Sequence, residues 1–390
     1  MTAPATLDKQ AGRPPLWRDV RVLSWTFQLA VVGLVVLLVS WLWGNVQSNS
    51  DRLNIDTGFD FLDQPAGFPI PGSDFRNNQP ISDAVVEGLL NTIRLAAAGL
   101  VLATLLGVLL GIARLSGNFL VRTGAKFYVE FVRNIPLLSL LYLIYLAVIL
   151  TVFPRPVDSW TLEGLAVLNV RGSHVAWFDG SALALIGIVV LGMAAAWGVG
   201  RWRTTVAERT GQPARTALFA LPVMALIVAA GWLIGGYTLN RPELDGNRVS
   251  GGIEMTPAYL GALLALVLYT SSHIAEIVRG SIQAVPIGQG EAANALALSG
   301  FQRTWHVILP QAMRIAIPPI GNQYLNLMKN SSLAAIISYG DLTKVTELGV
   351  ANRSPAVPAY ALTLLIYLGV SLVISLAVNI FNRRLALVER

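Results

Sequence analysis

Residues 95–113 read LAAAGLVLATLLGVLLGIA, and no charge interrupts them between Arg94 and Arg114. A helix rises about 1.5 Å per residue, so a run of this length nearly crosses the roughly 30 Å apolar layer of a bilayer. The chain supplies such runs repeatedly. Segments free of Asp, Glu, Lys and Arg also lie between Arg21 and Asp51, Arg133 and Arg155, Asp179 and Arg201, Arg215 and Arg241, Glu254 and Glu276, and Arg353 and Arg383. Another, from Arg314 to Asp341, is interrupted only by Lys329. Eight transmembrane helices are therefore expected, in an all-α polytopic membrane protein. Composition agrees, because 54% of the residues are hydrophobic and only 13% are charged, against about 25% charged in soluble domains. Buried helices of a soluble protein would need water-facing polar stripes, which most of these runs lack.

Positively charged loops stay cytoplasmic, so Lys and Arg set the orientation. With eight spans, one side holds Lys9, Arg13, Arg18, Arg21, Arg114, Arg122, Lys126, Arg133, Arg201, Arg203, Arg209, Arg215, Arg279, Arg303, Arg314, Arg383, Arg384 and Arg390. The other holds Arg52, Arg76, Arg155, Arg171, Arg241, Arg248, Lys344 and Arg353. Eighteen against eight places both termini inside, and this topology accounts for the net charge of +6 without any nucleic acid. The run from Leu23 to Trp43 is longer than the apolar part of a secretory signal, follows a polar lead and precedes no A-x-A cleavage pattern. It reads as a first helix with Trp17, Trp25, Trp41 and Trp43 near its interfaces. Cysteine is absent, which excludes disulfides and thiolate metal sites.

No sequence pattern points to catalysis or to a metal. There is no Gly-Lys pair for a phosphate-binding loop, no G-x-S-x-G and no H-E-x-x-H, and the histidines His174, His273 and His306 are scattered. Uphill movement of a solute would need fuel consumed elsewhere or an ion gradient. The stretch 45–83 is polar and rich in Gly, Pro, Asp and Asn, with turn signals at Pro65-Ala66-Gly67 and Pro71-Gly72. It forms an external loop, which serves as a cap or as a connector.

Polar groups inside spans are costly in hydrocarbon and normally face an interior or a wet cavity. Asn322, Asn326, Lys329 and Asn330 recur on one helical face of the seventh run, broadened by Gln323, Ser331 and Ser332. Pro318, Pro319 and Gly321 precede them and are expected to kink or interrupt that helix. Ser371, Ser375 and Asn379 recur in the last run, and Ser272 and Glu276 in the sixth. The serines suit helix–helix packing. Glu276 also has Arg279 within reach.

Between the sixth and seventh runs lies a charged, broken segment. Pro286, Gly288 and Gly290 are expected to end the incoming helix. Residues 291–298 then form a short helix with Glu291 in its first turn. Ser299 and Gly300 close it, and a second short helix from Gln302 stops at Pro310. Ala292, Ala293, Ala295 and Ala297 make the first helix narrow enough to enter a groove. Alanine gives weak membrane anchorage, which argues against a helix lying on the bilayer.

Glu291-Ala292-Ala293, followed by Leu309-Pro310, resembles the EAA loop of binding-protein-dependent ABC importer permeases. In that family the loop docks the permease onto a separate ATPase. Ala297 stands where the family usually has Gly, and Val307 where Ile is common, leaving the bend after the first helix to Gly300. Residues 88–93 (GLLNTI), 131–138 (FVRNIPLL), 275–280 (AEIVRG) and 329–333 (KNSSL) are similar to signatures of the polar-amino-acid branch. An extra first span and a helix pair within 154–253 look like the long permeases of general L-amino-acid importers.

The resemblance implies a type I importer core in two parts, 86–153 and 254–390. A lead, first helix and loop would occupy 1–85, an inserted helix pair 154–253, and the coupling loop 286–310. It further implies a bacterial inner-membrane location, an ATPase dimer that binds ATP and Mg, a second permease subunit and a periplasmic substrate-binding protein. Glu291, Ala292, Ala293, Ala297, Gly300, Leu309 and Pro310 would contact the ATPase. Asn326, Lys329, Asn330, Ser331 and Glu276 are candidates for the amino-acid path, since a zwitterion needs both donors and acceptors. The rival reading is an ion-coupled secondary transporter in which Lys329 and Glu276 carry the coupling charge.

Overall fold

The computed structural model describes residues 20–53, 57–352 and 354–385. Lys9, Arg13, Trp17, Arg18, Arg353 and Arg390 lie outside the described residues. The expected helices form: α1 (Val20–Leu53), α2 (Ile81–Ala113), α5 (Ala182–Thr210), α6 (Thr216–Ile234), α7 (Pro257–Gln283) and α12 (Ala356–Leu385). Among the described residues these six are long and apolar enough to cross a membrane. The third run is α4 (Leu137–Tyr142) with its π-helical continuation Leu143–Ile149; α3 (Phe119–Arg133) precedes it at a bend of 107°, and the bent pair would make a seventh span. Pro136 caps α4, and the residue before a proline resists helical geometry, which places the bend. The seventh run is α10 (Leu309–Asn330) followed by a 3-10 segment, Ser331–Ile337. Its polar stripe separates it from the other six.

The all-α expectation needs one amendment, because the loops around α5 and α6 contain short strands. Strands β1 (Trp160–Leu162), β2 (Ala166–Asn169) and β3 (Gly172–Val175) are joined by β8 (Ile253–Met255) in an antiparallel sheet, while β4 (Trp177–Asp179) pairs with β5 (Thr238–Asn240) and β6 (Glu243–Asp245) with β7 (Arg248–Ser250). Their Trp, Val, Leu and Phe content favours the pleated backbone, and Gly164 and Gly246 provide the positive-φ turns. The pairings β3–β8 and β4–β5 bring the chain entering the α5–α6 hairpin beside the chain leaving it.

The centre of the fold is the pairing of α2 with α7. Ala84, Gly88, Thr92, Ala96, Ala103, Gly107 and Gly111 line the buried face of α2. A Cβ added at Gly107 would lie 2.7 Å from Ile274 Cβ, and one at Gly111 2.8 Å from Val278 Cβ. Lipid tails leave no hydrophobic drive for helices to associate, so this close backbone approach supplies the dispersion contact. Nearer the helix start, α11 (Leu342–Ala351) packs on Gly88 through Val345 and Leu342.

Hydrogen bonds close this region. Asn91 Nδ2 donates to Gly340 O at 2.9 Å, Tyr339 Oη to Asn91 O at 2.9 Å, and Leu342 N to Thr92 Oγ1 at 3.0 Å. Loop 57–80 is more than a connector here: Phe61, Ala66, Phe68, Ile70 and Phe75 are buried with Ile81, Ala84, Val345 and Ala359.

Replacing Gly107 with Ala is expected to cost about 1–3 kcal/mol by overpacking. Thermal unfolding in detergent should show a lowered midpoint, whereas Gly198→Ala, whose Cβ would meet nothing within 4 Å, should not lower it.

Candidate coupling loop and translocation face

After α7 the chain turns at Ala284, buries Val285 and starts α8 (Ile287–Ala295) with Pro286 at its cap. The helix thus begins four residues before Glu291 and contains Gly288 and Gly290, which were expected to precede it. Proline is well placed at a helix start, and the glycines lower helix preference without preventing it. Glu291 lies mid-helix, outside the first turn. It is exposed and forms no ion pair among the described residues. Ala292 is also exposed, while Ala293 is buried.

The bend is made by Ala297, not Gly300. Ala297 adopts φ 53°, its N–H donates to Asn294 O at 2.9 Å, and Leu298 N donates to Ala293 O at 3.1 Å. This is a Schellman closure with alanine in the left-handed position normally given to glycine, at a local cost of about 1–2 kcal/mol. Gly300 instead starts α9 (Gly300–Gln302), capped by Ser299 and Gln302, whose side chains each bond the other's backbone N–H.

The chain then stays helical through π turns at Arg303–Ile308 into α10. Leu309 is half-buried and Pro310 exposed in the first turn of α10. Pro310 does not stop the helix, because the first-turn N–H it lacks has no obligatory partner and the wider π turns relieve the preceding carbonyl. Pro318 and Pro319 likewise sit inside an unbroken helix; the interruption comes at Ser331, ending at Ser338 with φ 62°.

Sequence reasoning missed the apolar character of this loop. Leu296, Phe301 and Trp305 are 75%, 73% and 56% exposed, with the two rings stacked at 6.0 Å, and Ile287 is open as well. The spacing of Phe301 and Trp305 at i, i+4 was the available signal. Arg303 Nη1 donates to Asn294 Oδ1 at 3.0 Å and Gln311 Nε2 to Gln289 Oε1 at 3.2 Å, so α8 is tied to the start of α10.

The polar stripe of α10 divides. Asn322, Asn326 and Lys329 are exposed on one face, Asn330 is half-buried beside Leu137, Leu141, Ala262 and Leu266, and Ser331 is buried, donating to Met328 O at 2.7 Å. The opposite face buries Ala312, Ala316, Ile320, Leu327 and Met328.

Glu276 is not brought to this stripe. It joins Arg114 and Arg279, with Arg133 at 3.8 Å, and so clamps the ends of α2, α3 and α7. Among the described residues Lys329 has no ion pair, so the two proposed coupling charges do not meet. A further polar group lies well inside α2, which starts earlier than the charge-free run suggested: Arg94 is held by Glu87 at 3.1 Å and Asn91 at 2.8 Å.

The model of the family described as "Binding-protein-dependent transport system inner membrane component" matches residues 188–387. The chain belongs to this family. It is 40% identical over 95% of both chains to a putative amino-acid ABC transporter permease protein, YhdX, of Escherichia coli K12. It is 37% identical to the general L-amino acid transport system permease protein AapQ of Rhizobium johnstonii, over 95% of this chain and 94% of the relative. The glutamate/glutamine/aspartate/asparagine permease protein BztB of Rhodobacter capsulatus is 35% identical, over 95% and 96% of the two chains.

Ala297→Val places a branched side chain in a left-handed backbone. Hydrogen exchange should show the amides of 294–299 opening about ten-fold more often, whereas Ala297→Gly should not increase opening.

Proposed function

We propose that this chain is the permease subunit of an ATP-driven importer that carries L-amino acids across the bacterial inner membrane. Eight crossings would be made by α1, α2, α4 with its π continuation, α5, α6, α7, α10 with its 3-10 extension, and α12. The excess of Lys and Arg near Arg114, Arg201, Arg279 and Arg303 supports cytoplasmic termini and a cytoplasmic α8. A periplasmic binding protein delivers the amino acid to the side of loop 57–80. A second permease subunit completes the path, and an ATPase dimer supplies ATP and Mg chemistry that this chain lacks.

The observation that carries the reading is the loop 286–310. Glu291, which forms no ion pair among the described residues, shares this loop with uncovered Leu296, Phe301 and Trp305, a charge and apolar side chains that call for a protein partner. Glu291, Ala292, Ala297, Gly300 and Pro310 are exposed, and Ala293 and Leu309 support them from below. Asn326 and Lys329 are the path residues the arrangement favours, with Asn330 behind them. Ser331 and Glu276 act by holding the helices, Ser331 at the α10 break and Glu276 at the three-arginine clamp. The separation of Lys329 from Glu276 weighs against the ion-coupled reading.

Purification from native membranes should yield the ATPase, a second permease and the binding protein together. Vesicles holding this chain alone should move no amino acid under an ion gradient, and uptake there would overturn the proposal.

Glu291→Arg should insert normally yet lose at least about ten-fold in ATP-dependent uptake, consistent with a reversed charge at an interface costing more than about 1.4 kcal/mol. Normal uptake would remove Glu291 from the docking role. Phe301→Ala with Trp305→Ala should reduce the ATPase retained on the purified chain while leaving membrane levels unchanged.

A further inference from the structure

The α5–α6 hairpin holds a cavity that the transport reading leaves unused. The two helices pack closely where Gly231 meets Ile188 and Gly192 meets Met224; Cβ atoms added there would lie 2.5 and 3.3 Å from those side chains. Toward the connecting turn they part. A groove of about 450 Å³ opens there, lined by Trp197, Gly200, Arg201, Thr204, Thr216, Ala217, Ala220 and Leu221. Its lining is mostly apolar, with one basic side chain, Arg201, and the hydroxyls of Thr204 and Thr216.

Arg201 lines the groove and lies 5.0 Å from the Trp197 ring, and Arg203 sits 4.2 Å over Phe219. Arg215 directly precedes Thr216, and Arg209 is one turn from Thr205. Between Asp179 and Arg241 the only carboxylate is Glu208, against the four arginines Arg201, Arg203, Arg209 and Arg215. None of the four forms an ion pair among the described residues. Trp197 and Trp202 are largely exposed, as interfacial tryptophans are at headgroup level. An apolar cleft between two spans, closed at the membrane surface by unpaired arginines and hydroxyls, matches one occupant in charge and polarity.

We propose that this groove binds an anionic phospholipid, with an acyl chain along Ala217, Ala220 and Leu221. The phosphate is held by Arg201 and Arg215, and Thr204 and Thr216 offer hydroxyl donors. The site stands whether or not amino acids are the cargo. Its role is to anchor the hairpin, whose two helices pack mainly on each other among the described residues.

The test uses the whole importer complex in mild detergent. Phosphatidylglycerol and phosphatidylcholine with matched acyl chains are titrated separately, and lipids retained per chain are counted by native mass spectrometry. Phosphatidylglycerol should bind preferentially. Each arginine near a membrane surface contributes roughly five-fold, so R201Q/R215Q should cut the preference about twenty-five-fold. R201K/R215K, which keeps the charge, should retain most of it, and R171Q/R248Q, on the strand-bearing loops, should leave it unchanged. Equal retention of the two lipids, an undiminished preference in R201Q/R215Q, or displacement of phosphatidylglycerol by inorganic phosphate would overturn the proposal. So would a protein cross-link from position 204 that excludes lipid.

Discussion

The backbone approach of α2 to α7 is the constraint on which the other arrangements depend. In a bilayer neither helix gains by hiding apolar surface from its surroundings, so contact must come from fit. Gly107 and Gly111 remove the side chains that would hold the helices apart, and Ile274 and Val278 fill the space. One turn beyond Gly111, the same register carries Arg114 to Glu276. Toward the other end, Gly88 admits Leu342 and Val345, and Asn91 and Thr92 bind the turn at Gly340. One helix therefore positions both the clamp of charges and the break after α10.

That geometry joins the loop 286–310 to the spans by two routes. The first is covalent, since α7 continues into α8 through Ala284, Val285 and Pro286. Because Val285 is buried, the joint is not a free hinge. The second route runs through Arg303–Asn294 and Gln311–Gln289, which fasten α8 to the start of α10. A push on α8 is thus shared between the helix carrying Glu276 and the helix carrying Asn326 and Lys329. Packed side chains transmit such a displacement because dense interiors deform little.

The helices were legible because hydrocarbon thickness sets a length that composition must meet, and the runs bounded by Arg94 and Arg114 or by Arg353 and Arg383 meet it. Their ends were less legible. Charge marked the start of α2 at Arg94, but Glu87 and Asn91 satisfy that arginine inside the helix, which begins at Ile81. In the loop 286–310, Gly288, Gly290 and Pro310 are breakers by residue type. Local preference yields there to neighbours, since a first-turn proline and flanking π turns keep the chain helical. The short strands escaped because three-residue segments such as Trp177–Asp179 carry too few residues to show alternation. Ala297 could not be assigned its left-handed backbone from residue type, as alanine seldom adopts it.

The stripe on α10 faces away from the rest of the described chain. Its small residues Ala312 and Ala316 let one face pack inward, which turns Asn322, Asn326 and Lys329 outward. A lysine in the middle of a lipid-facing helix costs about 2.5–3.5 kcal/mol on insertion scales, and neighbouring amides add to that. Lys329 forms no ion pair among the described residues: Glu276 is held by Arg114 and Arg279, and Asp341 is buried as the cap of α11. The arrangement is stable only when water, solute or another polar surface meets that face. A permease that encloses its path alone would have turned the stripe toward α2 and α7. Here that side is filled by Ala312, Ala316, Ile320, Gly321, Leu327 and Met328, so the polar stripe has to be met from outside the described chain.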